Sequence, residues 1–142
     1  MSRVKDLIQN RVMCAVEEGQ TVAEVLRHMA EINVGAIMVL RDGELRGVFS
    51  ERDLMVRVVL AGLDPSATPV EQVMSTNLAT VTEEATPDEA MERMRGHCCR
   101  HLPVVRGAQV VGFLSMRDLM NYQLERQTEE LHQMTAYIHG TV

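Results

Sequence analysis

The chain has 142 residues, 46% hydrophobic and 3% aromatic, with 20 acidic against 14 basic side chains and a formal charge of −6. That size and apolar content support a core of one domain or a tightly fused pair and exclude a disordered tail. The acidic balance argues against a nucleic-acid binder, and the absence of both a signal-peptide core and any run near the roughly 20 apolar residues of a membrane span predicts a cytoplasmic protein.

In chain order, residues 4–8 (VKDLI) form a short lead-in and residues 12–16 (VMCAV) read as a strand. Thr21 is an N-cap, with Glu24 three positions on to complete a capping box, and Val22, Val25, Leu26, Met29 and Ile32 recur at helical spacing. Two apolar runs, AIMVL and LRGVF, then flank Arg41-Asp42-Gly43-Glu44, a turn suited to a hairpin, and a further helix follows Ser50. Residues 61–69 (AGLDPSATP), rich in small and turn-forming residues, mark a linker.

The series then starts again. VEQVM mirrors the lead-in, LATV reads as a strand, Thr86 and Glu89 repeat the helix start with Pro87 at its first position, and HLPVV and VVGFL flank Arg106-Gly107-Ala108-Gln109. Another helix follows Ser115, and beyond it Leu124, Leu131, Met134 and Ile138 define an apolar stripe that needs a partner, with Gly140 as a stop. Residues 21–55 align without a gap on 86–120, with 11 of 35 positions identical where unrelated stretches would share about two. The expected fold class is α/β (α+β): two units of order strand, helix, strand, strand, helix, packed about an approximate two-fold axis. The first unit spans 1–62, a linker 63–69, the second unit 70–122 and a helical tail 123–142. The 11 methionines read as flexible core filling.

Both units end on Gly-h-h-Ser-x-Arg-Asp, where h is apolar: GVFSERD at 47–53 and GFLSMRD at 112–118. Ser50 and Ser115 open helices, whose free N–H groups and partial positive charge suit an anion, with Arg52 and Arg117 adjacent. Asp53 and Asp118 can accept from vicinal hydroxyls such as those of a ribose. Phosphate plus ribose implies a nucleotide. Ser-x-x-Asp at a helix start is also a plain capping arrangement, which accounts for the Ser and Asp but not for the recurring Arg and Gly.

Those endings, the HLPVV strand, the Thr-x-x-Glu helix starts and the GLDPSATPVEQVM linker resemble a paired cystathionine-β-synthase (CBS) domain, or Bateman module, over nearly the whole chain, in the manner of small stand-alone bacterial members. The resemblance implies a sensor and not an enzyme, with no required cofactor, binding AMP, ADP, ATP, NAD or S-adenosylmethionine in clefts between the repeats. It assigns ribose to Asp53 and Asp118, a neighbouring hydroxyl to Ser50 and Ser115, phosphate to Arg52, Arg117, Arg100 and His101, apolar adenine walls to Ile37 and Pro103, and adenine-edge contacts to backbone near Val16 and Val81. Because Gly35-Ala36 stand where the second unit has Arg100-His101, the two clefts are expected to differ. Expected partners are the nucleotide, a second copy in a homodimer, and a target protein. Two alternatives stand beside this: a thiol- or metal-responsive regulator using His97, Cys98, Cys99 and His101, and a dimerisation module with vestigial clefts. Cys14 reads as core, and three cysteines with one adjacent pair make no disulfide framework.

Overall fold

The computed structural model describes residues 2–139. After a one-turn helix α1 (Val4–Leu7), strand β1 (Ala15–Glu17) is joined by α2 (Val22–Ile32) to the parallel strand β2 (Ala36–Arg41), and β3 (Glu44–Ser50) returns antiparallel. A single α-turn, α3 (Glu51–Asp53), continues as a π-helix over Leu54–Val59. The second repeat follows the same plan: β4 (Val81–Thr82), α4 (Pro87–His97), β5 (His101–Arg106), β6 (Gln109–Ser115) and α5 (Met116–Ile138). The fold is mixed α and β, with two three-stranded sheets in the expected order. Even the register break recurs, between Val39 and Leu40 and between Val104 and Val105.

Local chemistry explains most boundaries. Asp42 (φ 52°) and Gly43 (φ 82°) both take positive φ, which matches the right-handed twist of the flanking strands. Thr21 and Thr86 cap their helices by accepting from the Glu24 and Glu89 N–H groups at 3.2 and 3.1 Å, but the return bond from each glutamate is not made, so the expected capping boxes are half formed. At α2 the linker serves the next two free donors: Thr68 and Pro65 carbonyls take the Val22 and Ala23 N–H groups at 2.8 and 3.0 Å. The linker is thus a packed cap, with Thr68 buried. The first strand begins later than expected, at Ala15, although the Cys14 carbonyl still accepts from the Met38 N–H of β2 at 3.1 Å.

Two cores lie between the sheets and their helices, one around Val22, Val25, Met29, Ile37, Val39 and Phe49, the other around Ala90, Met94, Leu102, Val104, Leu114 and Leu119. A third cluster, Met38, Leu40 and Val110, joins the opposite faces, so β2 is buried on both sides. The lead-ins cross over. Val4 and Ile8 pack in the second repeat's core, with the Val4 N–H donating to the Ala85 carbonyl at 2.8 Å, while Val70, Val73 and Met74 pack in the first, with the Val70 N–H donating to Gln20 at 2.9 Å. Chain order and packing order therefore differ.

Helix α5 runs unbroken through residue 123 to Ile138, its first turns anchored by buried Leu119, while Leu124, Leu131, Met134 and Ile138 stay 60–72% exposed. Gly140 lies outside the described residues. Among these, no helix is long and apolar enough to cross a membrane.

Gly47 and Gly112 admit the crossed lead-ins. A Cβ on Gly47 would meet Met74 Sδ at 2.5 Å and the Ser75 carbonyl oxygen at 2.9 Å; one on Gly112 would meet the Ile8 Cδ1 methyl at 2.5 Å. Backbone yields less than a side-chain tip, so Gly47→Ala is expected to cost about 1–3 kcal/mol and Gly112→Ala less. Urea unfolding of both variants checks the order; equal, negligible losses would refute it.

Candidate functional site

Ser50 and Ser115 end β3 and β6 in extended conformation and cap the helices that follow, and here the capping boxes are complete. Asp53 Oδ2 accepts from the Ser50 N–H and hydroxyl, both at 3.0 Å; Asp118 Oδ2 accepts from the Ser115 N–H at 2.8 Å; and each serine Oγ accepts from the aspartate N–H. Capping thus accounts for one oxygen of each carboxylate. The second oxygen distinguishes the repeats. Asp53 Oδ1 accepts from the Ser75 hydroxyl at 2.9 Å, with Arg57 Nε at 3.7 Å, and the residue is 6% exposed. Asp118 instead meets Arg11: Nη1 donates to Oδ2 at 2.8 Å and Nη2 makes an ion pair with Oδ1 at 2.7 Å.

Asp118 opens onto a cleft of about 580 Å³ between the repeats. The first repeat contributes residues 12–15, His28, Ile32, Val34 and Ala36; the second contributes His101, residues 111–113, Ser115 and Asp118; the crossed lead-in adds Ile8 and Arg11. The β5–β6 register sets His101 directly across from Ser115, and its ring stacks on Phe113 with centroids 5.1 Å apart. Of the expected site residues, Ser115, Asp118 and His101 therefore share one cleft.

Others fall elsewhere. Arg52 and Arg117 are exposed at the second helical position, about 100° around the axis from the aspartates, and line no part of this cleft; Arg100, exposed ahead of β5, does not line it either. Ile37 is wholly buried in the first core, because successive strand residues alternate faces and Ala36 takes the cleft side. Pro103 is buried opposite Phe113, which does reach the cleft. Val16 and Val81 have core side chains, and the backbone that borders the cleft, residues 12–15, directly precedes Val16. Ser50 and Asp53 are held together, but in the sealed arrangement just described. Arg11 and His28 were not expected from the sequence. The available signal for Arg11 was a basic residue three positions after a repeated lead-in.

Burial is the strongest influence on the Asp118 carboxyl and pushes its pKa up, but the Arg11 hydrogen bond, the Ser115 donors and the Arg11 charge together hold it below the ordinary value. Burial also lowers the His101 pKa, against a smaller upward pull from Asp118, with Arg100 lowering it further, which favours the neutral ring. Burial raises the Cys14 and Cys99 thiols, which disfavours their thiolates. Cys98 is exposed, Cys99 packs on the second core, and among the described residues no three His, Cys, Asp or Glu side chains gather as metal ligands. Cys14 is half-buried and lines the cleft as well as touching the core. The acidic turns are paired: Glu83 accepts from Arg106 at 2.7 and 2.9 Å, Glu84 from Lys5 at 2.8 Å and Glu18 from Arg46 at 3.1 Å.

A carboxyl held below its ordinary value stabilises the fold above its unfolded pKa, about 3.9, and that contribution is lost as pH falls through the depressed folded value. Arg11→Ala leaves burial opposed by Ser115 alone, so the Asp118 titration moves to higher pH. Carboxyl carbon NMR titration of both proteins checks this; coincident Asp118 curves would contradict it.

The family model for the CBS domain matches the chain twice, at residues 4–59 and 70–125. The CBS domain-containing protein YhcV of Bacillus subtilis is 35% identical over 128 residues, covering 90% of each chain. The mitochondrial CBS domain-containing protein CBSX3 of Arabidopsis thaliana is 33% identical over 125 residues; that match takes in 84% of this chain but 61% of the plant protein. Among solved structures, a CBS domain protein from Pyrobaculum aerophilum complexed with AMP superposes with a TM-score of 0.74 at 30% identity, over 82% of this chain and 89% of that one. With both halves matched and the two sheets arranged as a pair, the chain belongs to the CBS domain family.

Proposed function

We propose that this chain is a regulatory module that binds one adenine nucleotide, AMP, ADP or ATP, in the cleft between its repeats and passes the change to a partner protein. The observation that carries the reading is the Asp118 carboxylate at a helix start, facing an inter-repeat cleft beside Ser115, His101 and Arg11. Its oxygens can accept from a ribose; Arg11 and the two histidines can meet phosphate; and Ile32, Val34, Ala36, Val111 and Phe113 offer apolar walls for a base. The AMP held by the Pyrobaculum relative supports the ligand class. NAD and S-adenosylmethionine are the next ligands to try.

One ligand per chain is expected, because both Asp53 oxygens are engaged inside the protein. Such a ligand shifts the module through unequal affinity for two arrangements of the repeats, which a cleft lined by both repeats permits. Nothing in this reading requires catalysis.

Self-association belongs to the same proposal. Met55, Val56, Val59 and Leu60 after α3 and Met120 and Leu124 on α5 are 44–75% exposed, more apolar surface on helices than a lone chain needs to leave bare. A homodimer in the cytoplasm remains the expected form. Sedimentation should show a dimer that Leu60→Glu with Leu124→Glu converts to monomer; an unchanged mass would refute that interface.

Titration calorimetry tests the site. Wild type should bind AMP at one site per chain, and Asp118→Ala should weaken binding by about 1–3 kcal/mol while retaining the fold. Asp53→Ala should instead lower stability by about 1–2 kcal/mol, through the lost cap, and leave AMP affinity unchanged. Two equal sites, or no binding of any adenosine compound, would overturn the proposal.

A further inference from the structure

We propose that Arg11 makes the cleft selective for ligands that carry both sugar hydroxyls and an anionic phosphate, by occupying the acceptor that the sugar needs. This rests on the nucleotide reading above and refines it. Arg11 spans both oxygens of Asp118 at 2.8 and 2.7 Å, and the Ser115 N–H already donates to Oδ2, so a pair of hydroxyls cannot engage the carboxylate until the guanidinium leaves. Among the described residues lining the cleft, Arg11 is also the one arginine or lysine. The carboxylate for sugar and the counter-charge for phosphate thus neutralise each other.

A ligand bearing both groups can insert between them. Hydroxyls take Asp118, phosphate takes Arg11, and each charge exchanges one partner for another. A neutral nucleoside satisfies Asp118 and strands the arginine; inorganic phosphate does the reverse. Either half-ligand breaks the pair and returns only one of the two interactions lost. The pair is built to open from one side. Arg11's side chain is 45% exposed on a segment without helix or strand, whereas the Asp118 side chain is 13% exposed and fixed in its capping box.

A second cleft of about 830 Å³ shares Arg11 and Asp118 with the first and carries Asp6, Asp88, Glu125 and Glu129 against Arg126. Its acidic wall makes the removal of Arg11 costly for any anion placed nearby, which adds to the selectivity. It also offers the displaced guanidinium another home, and the experiment separates the two outcomes.

Affinities of AMP, adenosine and inorganic phosphate are measured by calorimetry on wild type, Arg11→Ala and Arg11→Lys, with thermal unfolding confirming that each is folded. Wild type should prefer AMP over adenosine by about tenfold or more. In Arg11→Ala the ratio should fall to within about threefold, with adenosine binding more tightly than to wild type because its carboxylate is free, and Arg11→Lys should lie between. An AMP-to-adenosine ratio unchanged by Arg11→Ala, as expected if the guanidinium simply turns to the acidic cleft, overturns this inference while leaving the nucleotide site standing. Failure of wild type to bind either compound overturns the site and the inference together.

Discussion

The crossing of the two lead-ins is the constraint on which the rest depends. Each short segment gives its apolar residues to the core of the repeat to which it is not adjacent in sequence: Val4 and Ile8 to the second, Val70, Val73 and Met74 to the first. Each is pinned by a backbone bond at matching places, Val4 to Ala85 and Val70 to Gln20, and the first adds a second bond from Lys5 to Glu83. Neither core is complete within one copy of the duplicated sequence, so the halves depend on each other for burial as well as for contact between sheets. The glycine opening each final motif follows from the same constraint. Gly47 lies against Met74 and Ser75, Gly112 against Ile8, and a side chain at either would push the lead-in off.

Crossing also decides what meets each aspartate. The residues that follow each lead-in are delivered to the helix start of the other repeat's final motif: Ser75 reaches Asp53 and Arg11 reaches Asp118. A neutral hydroxyl on a nearly sealed carboxylate, reinforced by Arg57 four residues along the same helix, makes a structural unit. A half-exposed guanidinium on an otherwise similar carboxylate makes a replaceable contact, since ion pairs near solvent contribute little and reorganise readily. Capping and binding are therefore not rival explanations of Ser-x-x-Asp. The cap fixes where the carboxylate stands, and its remaining acceptor capacity is what differs between the two copies.

Much of the fold was legible in the sequence, because repeats, caps and hairpin turns are local signals. Thr21, Thr86, Ser50 and Ser115 all cap helices, and Asp42-Gly43 makes the turn its residues favour. The site was legible where residues lie close in sequence, as with Ser115 and Asp118, or directly across a hairpin, as with His101 and Ser115. It was not legible where a strand's alternation mattered by one position: Ala36 faces the cleft and Ile37 the core. Nor could a pattern reveal Arg11, 107 residues from its partner and joined to it by tertiary packing alone. Nor could local rules reveal that at α2 linker carbonyls from a distant turn take the first two helical N–H groups, those of Val22 and Ala23.

The asymmetry of the pair then follows from few residues. Backbone register, bulge position, left-handed caps at Asn33 and Cys98, and both serine-aspartate boxes are common to the repeats, so the duplicated framework imposes two equivalent places for a carboxylate. What breaks the equivalence is the chemistry delivered to them, since changing a side chain beside a fixed carboxylate alters its hydrogen-bond partners without disturbing the strands that hold it. Ser75 closes one place with a short bond inside the protein, whereas Arg11 closes the other with a charge that a suitable anion can draw away. A duplicated fold can in this way keep one half as scaffold and give the other to binding, with the burial of both halves still shared through the crossed segments.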